Sequence, residues 1–357
     1  MRLIKDTLRG ITLPDKKTAA AAKKRLDILT KPKDSLGRLE EFSRRVAGIT
    51  GNLRPRLSRK TIFTIAADHG VAREGVSLFP QDVTAQMIRN FLNGGAAINV
   101  LARHVGADVV IVDMGSAVRI RTRRKNFIEQ RMASGTNNIA RGPAMNRDTA
   151  IQAIETGISV FEGEFSKKRI AIAGLGEMGI GNTTAASAIT GCITGTRIKD
   201  VTGRGTGISG RQLENKVGVI KTALRINMPD RYDPIDVLAK IGGFEIGGLT
   251  GVILAAAKNR VPVVIDGFIT ASAALIATEI SPLSKEYLFA SHDSVEKGHR
   301  IALRWMGLEP VLNLKMRLGE GTGACLGISM IEAGIKILNE MATFKDAGVS
   351  GETNASS

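Results

Sequence analysis

The stretch RIAIAGLGEMG, which spans residues Arg169–Gly179, is typical of one fold class. Its first part, Arg169–Gly174, forms a short apolar run that predicts a buried β-strand. The glycines that follow predict a turn at the end of this strand, and a helical pattern begins soon after it. A strand, a glycine-rich turn and a helix in this order indicate an α/β protein, in which parallel strands alternate with helices.

The same alternation continues along the chain on both sides of this stretch. Short apolar runs predict further strands at Thr61–Ala67, Asp108–Asp113, Val261–Asp266, Tyr287–Ala290 and Pro310–Leu314. Short buried strands between amphipathic helices predict a Rossmann-like, mostly parallel sheet with helices on both faces. The predicted helices are Gln81–Arg103, Arg147–Phe165, Thr183–Ile193, Ser209–Ile226, Glu245–Lys258, Ala271–Glu279, Ser294–Met306 and Thr322–Met341.

Helical patterns without strands occupy both ends of the chain. The segments Lys16–Leu29 and Leu36–Ile49 precede the first predicted strand, and Thr322–Met341 follows the last one. We therefore predict a large α/β catalytic domain over residues 51–325. A small helical domain is expected to combine the N-terminal segment 1–50 with a C-terminal helix and flexible tail over 326–357.

Composition favours a ligand-binding enzyme with an aliphatic core. Hydrophobic residues make up 43% of the 357 residues, aromatic residues only 4%, and 40 residues are glycine. The two cysteines, Cys192 and Cys325, form no CxxC motif, which argues against a disulfide framework and favours a reducing compartment. No apolar run approaches the roughly 20 residues that a membrane helix needs. We therefore expect a cytoplasmic protein.

The chain is strongly basic, with a net charge of +16, and this raises nucleic acid as a partner. No helix-turn-helix, RRM or zinc-finger pattern accompanies the basic residues. A solvated basic loop is the better interpretation, followed by attraction of an anionic substrate, and nucleic-acid binding stays as an alternative function. The densest basic cluster consists of Arg119, Arg121, Arg123, Arg124, Lys125 and Arg131.

The segment Gly174–Gly179 matches the G-x-G-x-x-G fingerprint of dinucleotide-binding proteins. Asp200 lies about 20 residues further on, as that fingerprint requires. An NAD(P)-dependent dehydrogenase is therefore another alternative function. Against it, Asp200 does not end an apolar strand, and the glycine-rich sequence continues to Gly181. We expect the helix to begin only after that second glycine turn, with Asn182 or Thr183 as its N-cap.

A phosphate site is the second interpretation of this loop. Backbone N–H groups at the start of a helix bind phosphate, helped by the helix dipole. Lys216, on the following predicted helix, would supply the opposing charge. A tight turn that binds no ligand is the alternative. The loop residues predicted to bind phosphate are Gly179, Gly181, Asn182 and Thr183.

A single carboxylate stands between glycines in the stretch RLGEGTGA, which spans Arg317–Ala324. This stretch follows the predicted strand Pro310–Leu314, and open α/β sheets place ligand sites beyond the carboxyl ends of their strands. Glycine neighbours leave the carboxylate accessible because they have no side chains. Glu320 is therefore the first candidate for a catalytic residue.

Several motifs, which run in order from residue 31 to residue 324, together resemble one enzyme family. The chain is similar to the nicotinate-nucleotide–dimethylbenzimidazole phosphoribosyltransferases, which activate the lower ligand of cobalamin. The matching motifs are Lys31–Pro32 with Ser35–Glu40, Ala67–Val71 with Glu74–Ser77, Val83–Met87, Gly94–Leu101, Gly176–Thr184, Gly203–Gly207, Gly242–Ile246, Asp266–Phe268, Ser291–His292 with Gly298–His299, and Leu318–Ala324.

The resemblance implies a reaction and two catalytic positions. The family moves ribose 5-phosphate from nicotinate mononucleotide to 5,6-dimethylbenzimidazole or a related base, giving α-ribazole 5′-phosphate and nicotinate. Glu320 matches the proton acceptor of the family and Glu177 its second glutamate. A homodimer with small-molecule substrates is also implied. Because no pyrophosphate leaves, the reaction needs neither a metal nor a cofactor.

Further residues complete the predicted site. His69 and His292 are interpreted as hydrogen-bonding loop residues, because this reaction requires no histidine pair. Apolar side chains are expected around the flat benzimidazole, and glycines are expected to leave room for the ribose and the ring. The additional substrate-binding residues predicted are Gly176, Gly203, Ser291, Gly319, Phe79, Met87 and Leu318.

Overall fold

A computed structural model describes residues 1–350 and contains a sheet of seven strands. All neighbouring strands are parallel, and their order is β3-β2-β1-β4-β5-β6-β7. The predicted Rossmann-like parallel sheet is confirmed. The strands are β1 (Lys60–Ala67), β2 (Ala107–Gly115), β3 (Phe127–Glu129), β4 (Ile172–Met178), β5 (Val263–Ile265), β6 (Leu288–His292) and β7 (Pro310–Leu312).

Helices connect most of the strands and occupy both ends of the described chain. They are α1 (Arg2–Arg9), α2 (Lys16–Asp27), α3 (Arg38–Thr50), α4 (Asp82–Asn93), α5 (Ala97–Val105), α6 (Arg147–Lys168), α7 (Asn182–Thr194), α8 (Ile198–Val201), α9 (Gly210–Asn227), α10 (Pro234–Ile241), α11 (Phe244–Lys258), α12 (Phe268–Ile280), α13 (Lys297–Met306), α14 (Thr322–Glu340) and α15 (Phe344–Ala347). None of the helices within residues 1–350 is long and apolar enough to cross a membrane.

The strand order places a topological switch between β1 and β4. From β1 the chain moves outward through β2 to β3, and it later fills the other side of the sheet from β4 to β7. Right-handed crossovers in opposite directions put helices on opposite faces of a sheet. Ligand sites in such sheets lie at the carboxyl ends of the strands beside the switch, which here are the ends of β1 and β4.

The sequence did not predict the strand β3 or the short helices α1, α8, α10 and α15. Two predicted elements also differ in ways that affect the site. The predicted helix Gln81–Arg103 is divided into α4 and α5, because Gly94 adopts a left-handed conformation (φ 78°) and ends α4. The predicted strand ending at Gly174 instead continues through Gly176 to Met178. A Cβ atom at Gly174 would lie 2.4 Å from Cδ1 of Ile62, so this glycine is needed for close packing inside the sheet.

By compactness, the chain divides into two units. The larger unit contains Met1–Thr12 and Arg59–Ile328, and the smaller one contains Leu13–Ser58 and the described residues from Ser329 onward. Helix α1 therefore lies in the larger unit, although it falls within the segment 1–50 that was predicted as helical-domain sequence. Ile4 is buried, and the N–H groups of Leu3 and Ile4 donate to Glu155 of α6. The predicted tail beyond residue 350 lies outside the described residues.

The core of the larger unit relies on small residues, as its low aromatic content suggests. Helix α11 is buried along almost its whole length and packs closely on α6. A Cβ atom at Gly157 would lie 1.9 Å from the carbonyl oxygen of Gly248, so the two backbones approach where neither has a side chain. In the smaller unit, α2, α3 and α14 share an aliphatic cluster of Ala22, Leu26, Leu29, Ala47 and Leu338.

Candidate active site

Residues 319–321, called the Glu320 segment below, lie between β7 and α14 and have an unusual backbone. Gly319, Glu320 and Gly321 all have positive φ angles, of 89°, 65° and 99°. Only glycine adopts this region without strain, and a residue with a Cβ atom is held there at a cost of roughly 1–2 kcal/mol. Glu320 is nevertheless buried, with 4% of its surface exposed. Its conformation must therefore be imposed by its neighbours.

Three elements of the larger unit hold Glu320. Its carbonyl oxygen accepts a hydrogen bond from Oγ1 of Thr64 in β1 (3.0 Å), and its N–H donates to the carbonyl oxygen of Glu177 in β4 (3.3 Å). Its carboxylate Oε2 accepts the N–H of Ile98 at the start of α5 (3.3 Å). Burial raises the pKa of the Glu320 carboxyl, and the Ile98 N–H opposes this rise.

The structure brings Glu177 and Glu320 together at the carboxyl end of β4. A Cβ atom at Gly176 would lie 2.1 Å from the carbonyl oxygen of Glu320, and one at Gly319 would lie 2.2 Å from Oε1 of Glu177. The predicted glycine positions therefore create the close approach of the two segments. Oε2 of Glu177 accepts a short hydrogen bond from Nδ2 of Asn182.

The pKa of Glu177 is raised well above its usual value. Burial is the largest cause, followed by the negative charges of Asp266 and Glu245, and the amide of Asn182 acts in the opposite direction. The charge of Glu320 adds to the rise. The edge of the sheet therefore holds a group of buried carboxylates that repel one another, and such groups are typical of functional sites.

Sequence reasoning assigned no role to two of these carboxylates. Asp266 follows β5, is fully buried, and accepts the N–H groups of Gly321 (3.1 Å), Gly323 (2.6 Å) and Ala324 (3.2 Å). Burial raises the pKa of Asp266 to about 7, against the effect of these N–H groups. The signal in the sequence was its position at the end of an apolar strand, immediately before Gly267.

The second unassigned carboxylate, Glu245, belongs to a buried pair with His69. Oε1 of Glu245 lies 2.7 Å from Nε2 of His69, and both side chains have 1% or less of their surface exposed. His69 follows β1, beside the glycine turn that precedes α7. The hydrogen-bonding interpretation of His69 thus agrees with its contacts.

The loop predicted to bind phosphate forms the start of α7. The N-cap of this helix is Gly181 (φ 98°), so the expectation of Asn182 or Thr183 at that position was wrong by one or two residues. A glycine supplies no side-chain cap. Gly179 packs against β1, where a Cβ atom would lie 2.1 Å from the carbonyl oxygen of Ala67.

Lys216 of α9 points at the same helix start. Its Nζ donates to Oγ1 of Thr183 (2.7 Å), and a Cβ atom at Gly205 would lie 3.3 Å from that nitrogen. Burial lowers the pKa of Lys216 to about 8, and the charge of Glu296 opposes the shift. Glu296 in turn accepts the N–H of Gly205 (2.9 Å) and packs against Gly203. Of the loop residues predicted to bind phosphate, Thr183 therefore contacts this buried cation directly.

Two of the predicted apolar residues, Phe79 and Leu318, lie on loops that contact the 203–207 glycine loop, and the third, Met87, lies on α4. Phe79 and Leu318 are more than half exposed, and Met87 is half-buried on α4. The loop of Phe79 is tied to the 203–207 glycine loop, because the N–H of Leu78 donates to Oγ1 of Thr206 (3.0 Å). The loop of Leu318 reaches the same glycines, since Nη1 of Arg317 donates to the carbonyl oxygen of Gly205 (3.0 Å).

Ser291 and His292 end β6 beneath the Glu320 segment. The Ser291 hydroxyl is fully buried, donates to the carbonyl oxygen of Asp266 (3.0 Å), and lies 3.1 Å from Nδ1 of His292. His292 packs against Gly323, where a Cβ atom would lie 2.1 Å from Nδ1. Both side chains thus contact the protein itself in this structure, and the binding role of Ser291 stays a prediction.

Comparison with known proteins establishes the family. A family model described as a phosphoribosyltransferase matches residues 11–349. The nicotinate-nucleotide–dimethylbenzimidazole phosphoribosyltransferase of Geobacter metallireducens is 56% identical over 349 residues, which cover 98% of this chain and 98% of that protein. The chain belongs to this phosphoribosyltransferase family.

Other members of the family agree along the full length. The enzyme of the same name from Desulforudis audaxviator is 53% identical over 354 residues, which cover 99% of this chain and 100% of that one. The crystal structure of the nicotinate-nucleotide–dimethylbenzimidazole phosphoribosyltransferase from Thermus thermophilus matches with a TM-score of 0.89 at 39% identity. The match covers 95% of this chain and 100% of the Thermus thermophilus chain.

Family membership does not support the dehydrogenase alternative, and the geometry gives the reason. Gly174 and Gly176 of the G-x-G-x-x-G lie inside β4, where they permit close packing, rather than in a turn around a pyrophosphate. Asp200 does not end a strand; it lies on α8 and pairs with Arg197 (2.7 Å).

The nucleic-acid alternative is likewise unsupported by the family. In the basic cluster, Arg119 pairs with Glu129 of β3 (2.6 Å), and Arg131 lies 3.4 Å from the buried Asp113 at the end of β2. The residues from Arg121 to Lys125 form an exposed irregular segment before β3. This arrangement agrees with a solvated basic loop.

Proposed function

We propose that this chain transfers ribose 5-phosphate from nicotinate mononucleotide to 5,6-dimethylbenzimidazole or a related base. The products are α-ribazole 5′-phosphate and nicotinate, in the assembly of the lower ligand of cobalamin. One observation carries the proposal: the structure holds the Glu320 carboxylate, with a raised pKa, beside Glu177 at the carboxyl edge of the sheet. The relatives named above carry the name of this reaction.

Glu320 acts as the general base. Attack of the benzimidazole nitrogen on C1 of the ribose builds positive charge in the ring, and a carboxylate that accepts the ring N–H proton relieves it. A base is most effective when its pKa lies near the working pH, and burial moves the pKa of Glu320 in that direction. A single displacement inverts the β-nucleotide to an α-product and needs no covalent enzyme nucleophile.

The buried carboxylates also favour the charge distribution of the reaction. The nicotinate ring of the donor is cationic at its nitrogen, and positive charge spreads over the ribose and the incoming base as the bond breaks. Glu177 and Glu320 supply negative charge where water is excluded, and in such surroundings electrostatic stabilisation is strong. We assign this supporting role to Glu177, in addition to its hydrogen bond with Asn182.

The start of α7 receives the phosphate of the nucleotide. Gly179, Gly181 and Thr183 present backbone N–H groups and the positive end of the helix dipole, and Asn182, whose N–H donates to the carbonyl oxygen of Gly179 (3.2 Å), fixes the shape of the turn. The ammonium of Lys216, now bonded to Oγ1 of Thr183, supplies the opposing charge. The glycines at 203 and 205 keep the approach open, because side chains there would meet Glu296, Thr183 and Lys216.

The apolar side chains of Phe79, Met87 and Leu318 form the slot for the flat base. Phe79 and Leu318 lie on loops that both reach the 203–207 glycine loop, and Met87 lies on α4 one turn after Thr84, whose hydroxyl accepts the N–H of Ile180 (3.1 Å). Gly319 leaves room beside the Glu320 carboxylate. A cytoplasmic homodimer is the form in which we expect the enzyme to act, as the resemblance implies.

Product analysis tests the reaction. Mass spectrometry of wild-type mixtures containing nicotinate mononucleotide and a panel of bases should show α-ribazole 5′-phosphate and nicotinate in equal amounts. Glu320→Gln should lower kcat by roughly 10²- to 10⁴-fold, the usual contribution of a general base, with the KM for the nucleotide little changed. The matched control is Glu214→Gln, an exposed acid on α9, which should keep wild-type turnover.

The pH profile gives a second readout. Glu320 accepts a proton only when it is ionised, so kcat/KM should fall as the pH falls through its raised pKa. Glu320→Gln should lose that limb of the profile. Wild-type turnover by the variant would remove Glu320 as the base, and tight NADH binding without transfer to any base would reject the proposed reaction.

A further inference from the structure

Asp266 lies directly beneath the Glu320 segment. Its side chain is fully buried at the end of β5, and its two oxygens divide three N–H groups between them. Oδ2 accepts from Gly321 at 3.1 Å, and Oδ1 accepts from Gly323 at 2.6 Å and Ala324 at 3.2 Å. The carboxylate therefore binds the peptide groups that follow Glu320, including the first turn of α14.

The Glu320 segment needs such a restraint. The N–H groups of Gly321, Gly323 and Ala324 converge on one side of the turn that begins α14, and N–H groups that converge in this way form a concavity that binds an anion. In this chain the anion is a carboxylate of the protein itself. The hydrogen bonds from Thr64 and to Glu177 fix the two peptide groups of Glu320, and Asp266 fixes those immediately after it.

The position of Asp266 is electrostatically unfavourable. Carboxylates that share a site disfavour each other's ionised form, and burial adds to the penalty. A neutral acceptor could bind the same N–H groups without repelling Glu177 and Glu320. We propose that Asp266 is a positioning residue, whose carboxylate anchors the peptide groups after Glu320 and thereby fixes where the Glu320 carboxylate meets the incoming base. The inference rests on the proposed function for the identity of that base.

The ionisable groups around Asp266 determine which pKa values should change when its charge is removed. Glu320 and Cys325 flank the bound peptide groups, Glu177 lies on β4 with Glu245 beyond it, and His292 on β6 has Nδ1 3.9 Å from Oδ1. Among the neighbouring charges that raise the pKa of Glu177, that of Asp266 has the largest effect. A neutral residue at 266 should therefore lower the pKa of Glu177.

Asp266→Asn tests the proposal, because it keeps the shape but places an amide where one oxygen was. An amide nitrogen cannot accept a backbone N–H. We expect kcat to fall by roughly 10²-fold, as for a displacement of about 1 Å at a reacting group, with the KM for nicotinate mononucleotide within about 3-fold of wild type.

Asp113→Asn is the matched control. Asp113 is equally buried, at the end of β2, and accepts the N–H groups of Gly115 (3.0 Å) and Ser116 (2.7 Å). This variant should lose stability but keep kcat within about 3-fold. The proposal fails if Asp266→Asn keeps kcat within about 3-fold, if its KM for nicotinate mononucleotide rises as much as its kcat falls, or if Asp113→Asn loses as much kcat.

Asp266→Ser provides a second variant if Asp266→Asn does not fold at the assay temperature. It is smaller, neutral and keeps a hydroxyl acceptor. Assayed below its melting temperature, it should show the same fall in kcat with little change in KM, and an unchanged kcat would overturn the inference.

Hydrogen exchange without substrates separates this inference from the proposed reaction. In Asp266→Asn, the amides of Gly321, Gly323 and Ala324 should exchange faster than in wild type. Faster exchange in a protein that forms no α-ribazole 5′-phosphate would reject the reaction and keep the anchoring. Unchanged exchange in a protein that does form it would reject the anchoring alone.

Discussion

At the scale of the residue, Lys216 links the charge of one buried group to substrate affinity. Its ammonium has a pKa of about 8 because of burial, so the side chain is mostly charged below that pH and mostly neutral above it. Binding of the anionic phosphate should raise the pKa of Lys216 and favour its charged form. We therefore expect the KM for nicotinate mononucleotide to rise as the pH passes through about 8 toward 9.5, as measured by initial rates.

Lys216→Met removes the charge while keeping much of the volume. A charge-assisted hydrogen bond contributes about 1.5–3 kcal/mol, so the KM at pH 7 should rise roughly 10- to 100-fold and its increase above pH 8 should disappear. Lys221→Met, an exposed lysine on the same helix, should leave the KM unchanged. A wild-type KM that stays flat from pH 7 to 9.5 would contradict the assignment of Lys216 to the phosphate.

Single residues also show where sequence reasoning reached its limit. Glu320, Glu177 and Lys216 could be chosen because local glycine motifs, helix spacing or family motifs single them out. The roles of Asp266 and Glu245 could not be predicted, because they depend on which strands are neighbours. The left-handed backbone of Glu320 itself was also not predictable, since its neighbours in space impose it.

At the scale of the element, β4 is the strand whose sequence was hardest to interpret. Its glycines resemble a nucleotide-binding turn, but the strand continues through them because other segments occupy the space of the missing side chains. Ile62 of β1 fills the space at Gly174, and the carbonyl of Glu320 fills it at Gly176. A fingerprint for a loop and a requirement for close packing thus give the same pattern.

Gly176→Ala tests this interpretation of β4. The added Cβ atom would lie 2.1 Å from the carbonyl oxygen of Glu320. This backbone atom cannot move without displacing Glu320, the proposed general base. We expect a loss of about 1–3 kcal/mol in the free energy of unfolding, as for other overpacked sites, together with a large fall in kcat. Urea titration and initial rates measure the two effects.

The control for β4 is Gly218→Ala, at an exposed position of α9 where a Cβ atom would meet nothing within 4 Å. It should stabilise the protein by roughly 0.5–1 kcal/mol, because alanine is a better helix former than glycine, and leave kcat unchanged. If Gly176→Ala retained wild-type stability and turnover, the glycines of β4 would not be explained by the approach of the Glu320 segment.

At the scale of the whole molecule, two buried groups of the site should shape the pH dependence of folding. The pKa of Asp266 rises from 3.8 to about 7, so between these values the folded chain holds a proton that the unfolded chain has lost. Stability must then fall as the pH rises through this window. The pKa of Lys216 falls from 10.5 to about 8, so from pH 8 to 10.5 the unfolded chain holds the extra proton, and stability must rise with pH.

Each group should contribute a slope of about 1.4 kcal/mol per pH unit within its window, negative for Asp266 and positive for Lys216. Urea titrations of wild type, Asp266→Asn and Lys216→Met from pH 4.5 to 10, at constant ionic strength, measure these slopes. In Asp266→Asn the accompanying fall in the pKa of Glu177 changes stability in the same direction. From pH 4.5 to 7, the free energy of unfolding of Asp266→Asn should rise relative to that of wild type. Above pH 8, the free energy of unfolding of Lys216→Met should fall relative to that of wild type.

Parallel curves would mean that neither group is held away from its ordinary pKa by burial. In that case the electrostatic argument for the base and the phosphate site would lose its physical basis, although the family would stand. Diverging curves would show that burial of these two charges lowers the stability of the fold at neutral pH, where the proposed site would hold a cationic ring and an anionic phosphate.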